Sequence, residues 1–362
     1  MPKILFIWYQ RPQPIPNGGD QCSCRNFALC QQVFGESNVA SIYIHDGKNY
    51  GRMAVAPFLF LKGYYYGITP SRIRMIVEEA QSYDYVFIDR SLFGVLAKVL
   101  KECGYKGRIV AHFHNVERQY FDQAKLPKWL PFRNVIVRCA DQNDRWSMQF
   151  ADKVIALNKR DDEELFRLYG RHADLLLPIA LPDVAENQSL ETLTSRKPLC
   201  LTIGSYFAPN NEGILWFIKN VLPHVDATYK VVGKNMHRLK EEHPDLFENI
   251  EVVSNAASLE PYFREADVMI LPIFSGSGMK VKTCESLMYG KNILGTSEAF
   301  EGYDAEYDKI GGLCDTAEQF IEKIRFFSNH SQPRFNQYAR AIYRANYCYE
   351  VVADKFAHLF DR

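Results

Sequence analysis

A chain of 362 residues exceeds what one ordinary domain holds, and its 47% apolar and 24% charged content supplies sizeable cores and excludes disorder. Lysine plus arginine and aspartate plus glutamate both number 43, so no overall field draws in nucleic acid and any anion site has to be local. The opening apolar run Ile4–Tyr9 is too short for a signal peptide, no apolar stretch is long enough to span a bilayer, and an odd count of nine cysteines points to a reducing, cytoplasmic setting.

Short aliphatic runs alternate with longer amphipathic ones. Lys3–Tyr9 reads as a buried strand, Asp20–Val33 as a helix and Val39–His45 as a second strand. Cys22, Cys24 and Cys30 fall on that helix without a Cys or His pair at zinc-finger spacing. They read as small apolar side chains, and no metal site is expected there. Ser71–Gln81 reads as a helix, Tyr85–Asp89 as a strand, Leu92–Cys103 as a helix and Arg108–Phe113 as a strand. A long helix is expected over 132–150, then strand Lys153–Leu157, a helix after Lys159, and Leu175–Pro178. The polar, proline-bounded stretch 182–198 reads as a linker between residues 1–181 and a second alternating half, 199–333.

In that second half, strands are expected at Leu199–Ile203, Tyr229–Val232, Ile250–Val253, Val268–Ile273 and Asn292–Gly295. Helices are expected at Asn211–Val221, Leu259–Glu265, Val281–Tyr289 and Ala317–Phe327, and a helical, aromatic-rich tail at 334–362. Such alternation predicts two α/β, doubly wound, Rossmann-like halves with parallel sheets. Ligands of such sheets bind at the carboxyl ends of strands, and a cleft between two facing lobes is the expected site.

The chemistry is concentrated in Val268–Gly295. A buried strand runs into Ser275, Gly276, Ser277 and Gly278, and a helix follows after Met279. Glycines let the backbone approach a ligand closely, and a helix start offers unpaired amides and positive partial charge. Lys280 and Lys282 sit at that same end, where cations are unfavourable unless an anion such as a diphosphate binds there. Glu285, one turn on, is placed to accept ribose hydroxyls. No Walker loop occurs, and no Gly-x-Gly-x-x-Gly follows the first strand. A Gly-rich loop with solvated lysines is the plain alternative.

This stretch, SGSGMKVKTCESLMYGKNILGT, resembles the donor-site signature of GT-B glycosyltransferases of the glycosyl transferase group 1 set, family 4. Residues 203–223 resemble the opening of that family's C-terminal domain, YKVVG its second strand, and HFHNVE the N-domain strand end. The resemblance implies a GT-B fold, two Rossmann-like domains facing across a cleft with a C-terminal helix crossing back. It implies transfer of a sugar from a nucleotide-diphosphate donor to a glycan or lipid-linked acceptor, with retention, no cofactor and no bound metal. No Asp-x-Asp occurs, in keeping with this.

By the same resemblance Glu285 holds the ribose, and Lys282 and the amides of Gly276–Gly278 contact the diphosphate. Gly18 and Gly19 flank the donor phosphates, Gly204 opens the donor domain, and His114 lies near the transferred sugar. Lys234 or Lys280 stands in for a basic pair that many members carry. Many members also have two glutamates with seven residues between them, and this chain has Ser277 in place of the first. An epimerase, which shares the architecture, and a non-catalytic binder of sugar-nucleotides or glycans, which Ser277 motivates, are the alternative functions.

Of His112 and His114, one is expected in the core and one facing the cleft. Glu117 is a second catalytic candidate, against a plain helix-start charge, and Arg25 reads as a surface arginine. Tyr64–Tyr66 and Lys125–Arg138 mix aromatic and basic residues. They fit either docking on an anionic membrane or a partly buried face, the second being favoured. Tyr347, Tyr349 and Phe356 are expected to pack at the domain junction.

Overall fold

The computed structural model describes residues 2–12, 18–45, 56–65, 68–123, 133–185, 197–276, 278–330 and 332–360. It divides into two compact units, residues 1–178 with 353–362, and residues 179–352.

The first unit carries strands β1 (Ile4–Gln10), β2 (Val39–His45), β3 (Tyr85–Ile88), β4 (Arg108–His112), β5 (Lys153–Ala156) and β6 (Leu175–Leu176). They pair in parallel in the order β2-β1-β3-β4-β5-β6. Its helices are α1 (Gly18–Phe34), α2 (Ala56–Leu61), α3 (Pro70–Ala80), α4 (Gly94–Glu102), α5 (Glu117–Gln123), α6 (Arg133–Phe150) and α7 (Lys159–Tyr169). Helix α3 starts as its sequence dictates: Thr69 accepts from the Arg72 amide, and Pro70 fills the first position. Runs such as ILFIW are buried on both faces because helices cover the sheet twice. Leu5, Ile88, Leu96, Ala111 and Val154 belong to that core.

Helices α4 and α6 touch backbone to backbone. A methyl group on Gly94 would fall 1.9 Å from the Asn143 carbonyl oxygen. The Asn143 side chain accepts from the Val95 amide and donates to the Gly63 carbonyl, both at 2.9 Å. Gly94→Ala is therefore expected to destabilise the fold by about 2 kcal/mol or more through overpacking. Thermal melting checks it, and an unchanged melting temperature would show that the helices separate at no cost.

The second unit repeats the plan with strands β7 (Leu199–Ile203), β8 (Thr228–Gly233), β9 (Glu251–Ser254), β10 (Val268–Leu271), β11 (Asn292–Gly295) and β12 (Gly311–Leu313). Their order is β12-β11-β10-β7-β8-β9, all parallel. Helices α8 (Ala208–Asn220), α9 (His237–Glu242), α10 (Glu260–Glu265), α11 (Val281–Met288), α12 (Tyr307–Ile310), α13 (Ala317–Asn329), α14 (Gln337–Asn346) and α15 (Tyr349–His358) complete the chain. The core gathers Ile214, Phe217, Val231, Ile270, Leu294 and Phe320. The α/β, doubly wound architecture expected from the alternation is thus present twice.

The tail differs from the single helical stretch expected. It breaks at Tyr347 and Cys348, because Leu181 pairs there instead of the helix ladder. The Leu181 amide donates to the Tyr347 carbonyl and its carbonyl accepts from the Tyr349 amide. Arg340 on α14 holds Asp183 through two contacts of 2.7 Å, so residues 182–185 of the expected linker lie on α14. Residues 186–196 lie outside the described residues. Tyr347 packs on Tyr303 in the second unit, and Phe356 on Phe87 in the first. No described helix is long and apolar enough to cross a membrane.

Candidate functional site

In the second sheet the winding reverses between β7 and β10, so the loops leaving those strands flank the crevice where such sheets take ligands. The loop after β10 uses Gly276 at φ 152° and Gly278 at φ 65°, conformations costly for residues with a Cβ. Ser275 and Gly276 are exposed, Gly278 and Met279 buried, and Ser277 lies outside the described residues. Lys280 stands at the N-cap of α11 and its side chain takes none of the first amides of that helix. The Thr296 hydroxyl donates to the Ile273 carbonyl, and the Tyr303 hydroxyl donates to Lys280's carbonyl at 2.7 Å, bracing the loop from behind.

The two lysines part ways. Lys280 Nζ is held by Glu298 Oε1 at 2.6 Å and by the Gly278 carbonyl at 2.7 Å, so its charge is already balanced. Of the two lysines expected to serve an anion, Lys280 thus also fastens the loop. Lys282 Nζ donates to Asn210 Oδ1 at 2.6 Å, and no carboxylate salt bridge to it is formed among the described residues. Burial pulls its pKa down to about 8, against the pull of Glu285 upward and with Lys280 adding to the fall. Glu285, one turn along, is half-buried, and no side chain hydrogen-bonds its carboxylate among the described residues. Burial pushes it up to about 7, with Lys282 opposing. A half-buried cation and a half-buried carboxylate thus stand beside uncapped helix amides, a set suited to a diphosphate joined to a diol.

Gly204 follows β7 directly opposite. A Cβ there would lie 3.1 Å from the Asn210 amide and 3.4 Å from Lys282 Nζ, so this glycine faces the same lysine. Lys234, after β8, is exposed, and its carbonyl accepts from the Tyr206 amide at 2.8 Å.

In the first sheet the reversal lies between β1 and β3. Here a network forms that the sequence did not disclose. Asp89, just past β3 and fully buried, accepts from Ser23 Oγ at 2.5 Å and from Asn26 Nδ2 at 2.9 Å. Asn26 also faces His112 Nδ1 at 3.2 Å, and His114 Nε2 stands 3.4 Å from Asp89. Burial favours protonation of Asp89, but His114, His112 and Ser23 outweigh it and hold the carboxyl at about 2. Burial lowers both histidines, so each is neutral near pH 7.

His112 and His114, expected one in the core and one facing the cleft, lie side by side. Both are buried, with ring centroids 4.8 Å apart, edge to face. Residues two apart on an extended segment share a face, and both imidazoles meet the Asn26–Asp89 pair. Arg25 is likewise not on the surface. It is buried, donates to the Pro178 carbonyl and to Asn26 Oδ1, and reaches Cys22 Sγ at 3.4 Å. Cys22, His112 and His114 offer three potential ligand atoms within 4.8 Å of one another, but Arg25 and Asn26 already occupy two of these groups.

Gly18 and Gly19 are the first residues of α1. Glu117 opens α5 and is 2% exposed, beside Asp144 and Arg90. Burial, opposed by Arg90 and Asn115, pushes its carboxyl to about 7. Tyr64 and Tyr65 are half-buried against the core, while Tyr66 and residues 124–132 lie outside the described residues.

Residues 197–329 match the family model described as Glycosyl transferases group 1. No curated protein matches the chain by sequence. Among solved structures, HepE of Anabaena, crystallised with UDP, shares the fold with a TM-score of 0.68 at 13% identity, covering 99% of each chain. The sucrose-phosphate synthase of Thermosynechococcus elongatus gives 0.70 at 13%, over 99% of this chain and 98% of that one. A glycosyltransferase of Rickettsia africae gives 0.65 at 16%, over 99% and 97%. The segment that bears Gly204, Lys282 and Glu285 thus lies within the match to the glycosyl transferases group 1 model, in a chain whose fold is that of GT-B glycosyltransferases.

Proposed function

We propose that this chain moves a sugar from a nucleotide-diphosphate sugar to a glycan or lipid-linked acceptor, with retention of anomeric configuration and without a metal ion or other cofactor. The observation that carries the proposal is the grouping of Gly204, Lys282, Glu285 and the uncapped start of α11 at one sheet's reversal point, inside the matched segment. Breaking a sugar–phosphate bond leaves growing negative charge on the diphosphate. Fixed amides and an ammonium aimed at it stabilise that charge, each such donor contributing about 3 kcal/mol in a dry site. Glu285 would receive the ribose hydroxyls, and His114 would serve the transferred sugar. Retention, metal independence and acceptor class rest on the family resemblance. HepE, of the same fold, has been crystallised with UDP-glucose, which makes uridine donors the first to try. Unbridged cysteines at all nine positions accord with a cytoplasmic setting. Peripheral membrane contact has less support, since Tyr64 and Tyr65 pack inward.

Incubation with a panel of nucleotide-sugars, followed by NMR, tests the assignment. Slow release of free sugar is expected without acceptor. Interconversion of the donor's sugar would establish an epimerase instead, and binding without turnover in any acceptor mixture would establish a binder.

A further inference from the structure

Asn210 lies in the first turn of α8, on an element separate from the loop and helix that carry Lys280, Lys282 and Glu285. Its side chain is fixed at both ends. Nδ2 donates to the Ser205 carbonyl at 2.8 Å, and Oδ1 accepts from Lys282 Nζ at 2.6 Å. That double attachment settles the orientation of the amide, since Nδ2 must face a carbonyl and Oδ1 an ammonium. The absent side chain of Gly204 leaves room for this arrangement: a Cβ there would press on the Asn210 amide at 3.1 Å. A lysine has a long, freely rotating stem, and holding its ammonium in one place needs a partner. A carboxylate partner would cancel the charge, as Glu298 does for Lys280. A neutral amide oxygen holds the ammonium and leaves its charge available.

We propose that Asn210 is a positioning residue for diphosphate binding, acting through Lys282, whose ammonium it holds in place between β7 and β10 without neutralising it. This rests on the donor-site reading above. The groups that set the charge state of Lys282 are Glu285 on its own helix, which favours the ammonium, Lys280, which opposes it, and Asn210 across from it. Loss of the amide oxygen removes a hydrogen bond that only the ammonium side needs, so Asn210→Ala moves the lysine toward neutrality at lower pH. Asn210→Asp puts a carboxylate in the same place, keeps the ammonium to higher pH, and competes with the phosphates for it.

Calorimetric titration of UDP, GDP, ADP and inorganic pyrophosphate, from pH 6.5 to 9.5, tests this on the intact chain. Asn210→Ala is expected to weaken diphosphate binding about tenfold and to bring the alkaline loss of binding to lower pH. Asn210→Asp is expected to weaken binding too, but to carry that loss to higher pH. A merely structural role, securing Ser205 at the start of α8, would lower affinity evenly at every pH in both variants, and that result overturns the proposal. Parental affinity and an unmoved alkaline limb in both variants overturn it as well, with the donor site left standing. If the parent chain binds none of the four probes, the donor-site reading and this proposal fall together. Asn210→Asp conserves size and shape, so it carries the test should the alanine variant fail to fold.

Discussion

Replacing Glu285 by alanine is expected to weaken nucleotide binding about 100-fold, the loss of roughly 2.8 kcal/mol that two charge-assisted hydrogen bonds to a ribose supply. The carboxylate is half-buried and has no side-chain hydrogen bond among the described residues, so its oxygens are available to such a diol. Because burial lifts the group to about 7, it is largely protonated at pH 6 and gives up its acceptor capacity as the pH falls. Lys282 stands at about 8 and loses its charge as the pH rises. Binding should therefore peak between these values and decline on both sides, by up to tenfold per pH unit at the limits. Glu285→Gln, which cannot titrate, should abolish the acid limb and spare the alkaline one. Calorimetry with UDP, GDP and ADP measures both variants. Undiminished affinity in Glu285→Ala would remove this residue from the proposed donor site.

The larger effect on turnover is expected at His114. His114→Ala should lower kcat by about 100- to 1000-fold, the cost of losing one fixed polar group at a reacting centre, while nucleotide affinity stays within about threefold. The ring is neutral and sits 3.4 Å from a carboxylate held at about 2, so it remains oriented and uncharged across neutral pH. Its pH profile should accordingly be flat from about 7 upward as far as this group is concerned. Single-turnover kinetics with the donor identified by the panel separate chemistry from binding. A variant that keeps full turnover would strike His114 from the reaction. Equal losses in turnover and affinity would make it a binding group instead.

The alternation of strand and helix was readable because each buried parallel strand is a short aliphatic run, and each covering helix is longer and amphipathic. The proposed donor segment 275–285 stood out in the sequence for a different reason. A helix-start anion site needs its glycines, amides, lysine and glutamate within one loop and turn, so the chemistry is contiguous in sequence. The network around Asp89 has no such property. Ser23, Asn26, Asp89 and His112 come from α1 and two strand ends, up to 89 positions apart, and meet only once the sheet forms. A single aspartate closing YVFID was the one available sign, since strand carboxyl ends at a reversal point are where ligand groups gather. Glu298, which pairs with Lys280, and Asn210, which accepts from Lys282, belong equally to contacts across the fold. Strand β12, Gly-Gly-Leu, is too short and glycine-rich to show a period, and the break at Tyr347 depends on Leu181, far back in the chain.

The closing residues belong to the unit that opens the chain, and this bears on synthesis. Phe360 packs on Phe34 at 4.9 Å and on Tyr85 at 5.4 Å, and Phe356 covers Phe87 at 6.1 Å. A ribosome emits the first 178 residues long before these two rings exist. For that interval the nascent unit presents a bare aromatic notch, a natural landing place for chaperones and for other unfinished chains.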